Sequence, residues 1–349
     1  MCISTMPRGF FWIAAVAASM TCLTARVSAQ TSCYEARRFA ENPIITPPMM
    51  GNADENINGP SLVRVPDWLK NRLGKYYLYF AHHEGEHIRL AYADDLHGPW
   101  RIYQPGVIPT RNLAWRPDHI ASPDALIDDE RQEIRVYFHS PVTPAPKSTD
   151  PDYREKLATT KQDSFVAISK DGLNFDVRPE SLGPSYFRVW KWGGYYYALP
   201  RLATPLFRSP DGFAPFSKAK SPFEDDPIFK SIRHVAVLPQ GDSLTVFYSK
   251  IGDAPEHILM TRIRMTEQWK AWKATSPVPV IYPQTGYEGY ALKAAPSLRG
   301  SSSKPENGLR DPAVFQENGR TYLLYAVEGE RGIAMAELFD SGNSDCRVK

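Results

Sequence analysis

Several features that would place this 349-residue chain in a class at once are scarce or missing. It has four cysteines, and two of them, Cys2 and Cys22, fall in an N-terminal stretch that reads as a leader, so a disulfide-dense scaffold is excluded. There is no excess charge either: the leader holds Arg8 and Arg26 and no acid, and the 39 remaining basic residues match the 39 acidic ones. Neither nucleic acid nor a membrane surface is therefore an expected partner. Only one long apolar run occurs, "FFWIAAVAASMTCL", and it is too short to span a bilayer comfortably. Arg8 before that run and "VSA" before Gln30 mark Met1 to Ala29 as a secretory signal, so the mature chain is expected to be secreted or periplasmic. Amphipathic helical stretches are rare, with "DPDYREKLATTKQ" the one candidate for a short helix. No low-complexity linker divides residues 30–349, which are read as one domain acting as a monomer.

What the sequence does have is aromatic residues and repetition. With 18 Tyr, 16 Phe and 31 Pro the composition favours β-structure. One unit reads "NGPSLVRV", "GKYYLYFAHH", "HIRLAYADDLHGPW", and a second reads "SPDALIDD", "EIRVYFHS", "SFVAISKDGLNF". A third is "GPSYFRVW", "GGYYYALPR", "PLFRSPDGFAPF", a fourth "IRHVAVLP", "DSLTVFYSK", "HILMTRI", and a fifth "RDPAVFQE", "GRTYLLYAVEGE", "RGIAMAEL". Each unit has a short apolar strand, a turn, an aromatic strand, a loop and a third strand. Spacings of roughly 50 to 80 residues suit propeller blades with long loops. The predicted fold is all-β, a five-bladed β-propeller with blades near 43–105, 120–178, 183–221, 231–283 and 308–340. Tyr77, Tyr79, Tyr137, Tyr196, Phe247, Tyr248, Tyr322 and Tyr325 fall in second strands, where rings are expected to fill the space between blades.

Propeller geometry brings the starts of innermost strands and the ends of second strands together around the axis. The starts hold Asn58, Asp124, Tyr186, Arg233, His234, Arg310 and Asp311, and the second-strand ends hold His82, His83, His139, Arg201, Lys250 and Glu328. So many ionisable groups on one rim point to a site. Ordinary turn chemistry is the competing explanation for Asp124 and Asp311.

The layouts "SPDALID…IRVYFHS" and "RDPAVF…GRTYLLY" resemble blades of glycoside hydrolase family 43 and of the related propeller families 32, 68 and 130. The resemblance implies a propeller that cleaves glycosidic bonds with carboxylates on the axial rim. Asp124 matches the second-blade Asp that orients the acid in family 43. The family's first-blade base Asp is replaced here by Asn58, Asp311 lies in the last blade instead, and the third blade shows no obvious acid Glu.

Glycoside hydrolysis needs one group to protonate the leaving oxygen and another to serve water or the anomeric carbon. Asp124 and Asp311 are expected to face each other across the rim, with Glu288 in "GYEGYA" as the acid and Glu256 and Glu328 as alternatives. Asn58, His82, His139, Arg201, Arg233, His234 and Arg310 are expected to contact an oligo- or polysaccharide substrate. The histidine spacing forms no zinc signature, no cofactor is expected, and a structural Ca²⁺ at the axis is compatible with the pattern. A polysaccharide lyase, with Arg201, Arg233 or Arg310 neutralising a uronate and His82 or His139 as base, and a non-catalytic sugar-binding propeller remain alternatives. Trp115, Trp190 and Trp192 suit a pyranose face or blade packing. The insertion "SPVTPAPKSTDPDYREKLATTKQ" is expected to overhang the active face, and Cys33 and Cys346 to close the ring by a disulfide.

Overall fold

The computed structural model describes residues 33–52, 56–142 and 161–342. The expected leader, most of the insertion with its short helix, and Cys346 lie outside the described residues. The first strand, Tyr34–Arg38 (β1), stands apart from the rest in sequence order. Blade one is Asn58–Arg64 (β2), Tyr76–Ala81 (β3), Arg89–Ala93 (β4) and Arg101–Ile102 (β5), and blade two is Ala121–Asp128 (β6), Glu133–Pro141 (β7), Gln162–Ser169 (β8) and Asp176–Pro184 (β9). Arg188–Trp192 (β10), Tyr195–Leu199 (β11), Leu206–Ser209 (β12) and Ser217–Ala219 (β13) make blade three. Blade four is Ile232–Gln240 (β14), Ser243–Lys250 (β15), Ile258–Arg264 (β16) and Val278–Ile281 (β17). The last is Arg310–Glu317 (β18), Arg320–Ala326 (β19) and Ile333–Asp340 (β20). Its outermost strand is β1, paired antiparallel with β20 from Tyr34↔Asp340 to Arg38↔Ala336. The chain is thus a five-bladed propeller whose first strand completes its last blade. Among the described residues the helices are 3-10 turns of three or four residues, and none is long and apolar enough to cross a membrane.

The hydrophobic core is divided into five, one part at each blade junction. All eight second-strand aromatics named from the sequence are buried there. A fully buried large side chain contributes roughly 1.5–3 kcal/mol. Two junctions are fastened the same way. The Ser169–Gly172 turn of blade two offers the Gly172 carbonyl to the Tyr79 hydroxyl of blade one at 2.9 Å, and the Ser209–Gly212 turn of blade three offers Gly212 to Tyr137 of blade two at 3.1 Å. Gly212 has φ +82°, and a Cβ there would stand 2.7 Å from the Tyr137 oxygen, so the repeated Ser-x-Asp-Gly sequence has both a conformational and a steric cause.

A residue in the left-handed region lies at the start of each innermost strand: Gly59, Ser122, Tyr186, Ser231 and Asp311. In β2, β6, β14 and β18 the register against the second strand also shifts there, which is how a bulge turns side chains away from the ladder. The strand starts then crowd the axis, with a Cβ on Gly59 coming 3.3 Å from Ser122 Cα.

Candidate functional site

The bulge before Pro312 turns Asp311, at φ +50°, toward blade four, where its Oδ1 meets His234 Nδ1. Aspartate tolerates this backbone better than most residues, which accounts for its presence at the position. Tyr186, a bulky residue held at φ +70°, stacks on His234 with centroids 4.2 Å apart, and His139 lies 4.1 Å from Tyr186 on the other side. His119 follows at 6.4 Å from His139, with Gln162 3.3 Å from its Nε2. On the other side of blade five, Glu330 Oε2 accepts from Asn56 at 2.7 Å and from Asn58 at 3.1 Å, and lies 3.5 Å from His83 Nδ1. Every blade therefore contributes to a ring around the axis. Unusual backbone on bulky residues costs energy and collects at functional sites.

The electrostatics divide the ring. Burial alone would raise the Asp311 carboxyl, but the His234 imidazole reverses this and holds it below its ordinary value. Burial and then His83 act in the same opposed way on Glu330, which is also held low. His83 answers with a raised value, because Glu330 outweighs its burial. His119 is pushed down to about 4, mainly by burial, and His139 falls well below the ordinary range for the same reason, so both are neutral imidazoles. Asp124 is raised to about 6 by burial.

Sequence reasoning placed some of these groups well and others poorly. Asp311, His234, His139 and Asn58 all belong to the ring, and all but His234 are buried and not on an open rim. Asp124 sits beside them, its Oδ2 accepting from Val189 N at 2.7 Å, so it anchors β10 next to Tyr186. His82 is half-buried, with its Nδ1 accepting from Glu84 N, and Arg201 is half-buried beside Tyr186. Arg233 and Arg310 do not face a substrate: Arg233 binds Glu256 and the carbonyls of Leu298 and Gly300, while Arg310 is shared among Glu256, Glu306 and Glu330. Glu256 is consequently their buried counter-ion.

The expected acid, Glu288, sits outside the ring. It is fully buried at the end of the 3-10 turn Gly286–Glu288, bound to Arg38 at 2.8 Å and to the Tyr325 hydroxyl at 3.0 Å, and it closes a capping box with Thr285. Every acceptor direction is thus committed to the seam between blades four and five. Trp115 donates to Ser140 and stacks on Phe165, and Trp190 stacks on Tyr197, so both serve packing. His119, Glu330 and Asn56 were missed. Glu330 lies in "EGERG", an ordinary turn by sequence, and the only local signal for His119 is its place just before β6.

A calcium ion does not fit this ring. Calcium takes six to eight oxygen ligands, whereas the buried atoms left without a partner here include the nitrogens His119 Nδ1 and His139 Nδ1, and Asp311 and Glu330 are already engaged by imidazoles. Among the described residues no group of three or more His, Cys, Asp or Glu side chains is arranged to hold a metal. Clefts of about 240 and 350 Å³ open at the outer edges of the junctions flanking blade three, lined by none of the ring residues.

The fold has solved counterparts. The GH43_1 enzyme from Xanthomonas citri complexed with xylose superimposes with a TM-score of 0.56 at 11% identity, covering 91% of this chain and 93% of that one. CoXyl43, a β-xylosidase/α-arabinofuranosidase from a compost microbial metagenome, gives 0.56 at 14%, covering 90% and 98%. A GH130 structure, from a family described as mannoside phosphorylases containing hydrolases of β-1,2-mannosidic linkages in Candida mannan, gives 0.57 at 11%, covering 91% and 97%. The chain thus shares the propeller fold of these carbohydrate enzymes. No family model matches it. It is 36% identical over 332 residues to the uncharacterized protein R118 of Acanthamoeba polyphaga mimivirus, covering 86% of this chain and 89% of that protein, and it belongs to the same family.

Proposed function

We propose that the chain is a secreted carbohydrate-active enzyme that hydrolyses glycosidic bonds at the axial ring, with His234 activating water and Asp311 orienting it. The observation that carries this reading is the His234–Asp311 pair. An ionised carboxylate on Nδ1 fixes the tautomer and leaves Nε2 as a base, and His234 is the more exposed of the two, with 12% of its side chain accessible against 2%. Asp124 is assigned a positioning role through β10. The fold shared with a β-xylosidase/α-arabinofuranosidase and with enzymes that target β-1,2-mannosidic linkages supports a saccharide substrate. With export goes a disulfide from Cys33, whose carbonyl accepts from Ser341 N at 3.1 Å, to Cys346 five residues further on.

Xylosides, arabinofuranosides and β-1,2-mannosides come first in a screen of the purified protein, followed by uronate-containing glycans, with new reducing ends as the readout. His234→Ala and Asp311→Asn should each lower kcat about a hundredfold or more while the fold persists. Near-normal turnover in both variants would overturn the assignment. Elimination is the second reading, favoured by Arg201 beside Tyr186 as the cation for a uronate, and it would appear as ultraviolet absorbance of an unsaturated product. Binding without either product would make the propeller a sugar-binding module.

A further inference from the structure

Glu288 is fully buried outside the ring, with its carboxylate held by Arg38, the Tyr325 hydroxyl and its capping box, which leaves the leaving group of the proposed hydrolysis without a donor. We infer that His83 supplies that proton, with Glu330 as the residue that positions and charges it. The inference rests on the hydrolase reading and deepens it.

The geometry comes from four directions. The backbone N–H of His83 donates to Asn56 Oδ1 at 3.0 Å, which fixes the residue just past the end of β3. Its Nδ1 faces Glu330 Oε2 at 3.5 Å, so Nε2 is directed away from the carboxylate. Glu330 cannot follow the substrate, because Asn56, Asn58 and Arg310 hold its two oxygens and only 2% of its side chain is accessible. His83 keeps 25% accessible, so the pair is a buried anion beneath a reachable imidazole. The pair matches His234–Asp311 in design. Both carboxylates come from blade five, and their imidazoles come from the neighbouring blades on either side, one for a proton to be taken and one for a proton to be given.

The charges facing His83 agree. Glu330, Asp311 and Glu84 favour the imidazolium, and the other rings of the ring, His119 and His139, are kept neutral by burial and offer little repulsion. Arg310 is the nearby cation, and it is already shared among Glu256, Glu306 and Glu330. In the reaction the bond from the anomeric carbon to the leaving oxygen breaks, its electron pair goes to that oxygen, and the oxygen takes the proton from Nε2. Water adds to the anomeric carbon and gives its proton to His234, and exchange with solvent resets both rings. An imidazole whose charged form is favoured by a fixed carboxylate suits general acid catalysis.

Two measurements on the full chain test this. In an NMR titration, with the His83 signal assigned by its loss in His83→Gln, the ring should titrate above the ordinary histidine value near 6.5 and return toward it in Glu330→Gln. Titration of His83 at or below that value would overturn the inference whatever the substrate is. The second compares methyl and dinitrophenyl glycosides of the sugar found by the screen. His83→Gln should lower kcat/KM on the methyl glycoside about a hundredfold and on the dinitrophenyl glycoside, which needs no acid, less than about tenfold. Equal losses on both, or the same selective loss in Glu328→Gln or Asp124→Asn instead, would overturn it. A screen with no cleavage at all refutes the hydrolase reading, whereas cleavage without this leaving-group dependence refutes only the donor.

Discussion

Two ways of joining blades coexist in this propeller. At the first two junctions Tyr79 and Tyr137 donate to the carbonyls of Gly172 and Gly212 in Ser-x-Asp-Gly turns. At the seam of blades four and five Tyr325 also donates its hydroxyl, but to Glu288, which Arg38 of β1 pairs from the far end of the chain. The first kind is neutral and repeats with the blade. The second is ionic, occurs where the chain must close, and joins residues 250 positions apart. A neutral buried hydrogen bond contributes about 1 kcal/mol, whereas removing one partner of a buried ion pair strands the other and costs several times more. The turn junctions should therefore tolerate damage that the closing seam does not.

The largest expected effect is at that seam. Glu288→Ala removes the partner of Arg38, the acceptor of Tyr325 and the capping box together, and should cost about 3–5 kcal/mol, somewhat less to the extent that Arg38 reaches water. Urea unfolding checks this. A variant of unchanged stability but lost turnover would return Glu288 to the active site.

At the turn junctions, Gly212→Ala should cost about 2–3 kcal/mol, because alanine is strained at this φ and its Cβ meets Arg135 and Tyr137. Tyr137→Phe and Tyr79→Phe should cost only about 1 kcal/mol each, and additively, since they sit at different junctions. Strong non-additivity in the double mutant would mean that the junctions do not act as independent fasteners.

The smallest net effect belongs to the axial ring, where two opposed titrations largely offset each other, and it shows against pH. His119 is neutral in the folded chain down to about 4 but takes a proton near 6.5 when unfolded, so stability is lost as pH falls through that interval. Asp124 works in the opposite sense: its folded value of about 6 lies above the unfolded one, so it adds stability as pH falls from about 6 toward 4. In urea midpoints taken across this range, His119→Gln should flatten the acid-side decline and Asp124→Asn should steepen it.

The turn junctions were legible in the sequence because their parts are local. "SKDG" and "SPDG" announce the turns, and alternating aromatics announce the strands that meet them. Asp311 and His234 could be placed near the axis because each begins an innermost strand. Glu288 could not be read correctly, because a loop glutamate in "GYEGYA" looks the same whether it faces substrate or Arg38. Glu330 carries no local mark and His119 only its place just before β6, since each acquires its meaning from its neighbours in the folded ring.

The sequence by itself determined the five blades, three of the four strands in each and the burial of their aromatic strands, because side-chain alternation and turn chemistry act over a few residues. The tertiary structure alone decided that β1 completes the last blade, that Arg233 and Arg310 face carboxylates and not substrate, and that His83 and His234 lie on either side of two blade-five carboxylates. The reason is geometric. The axis gathers one strand start from each of five distant segments, and a left-handed residue at each start sets where the neighbouring side chains point, which no local pattern encodes.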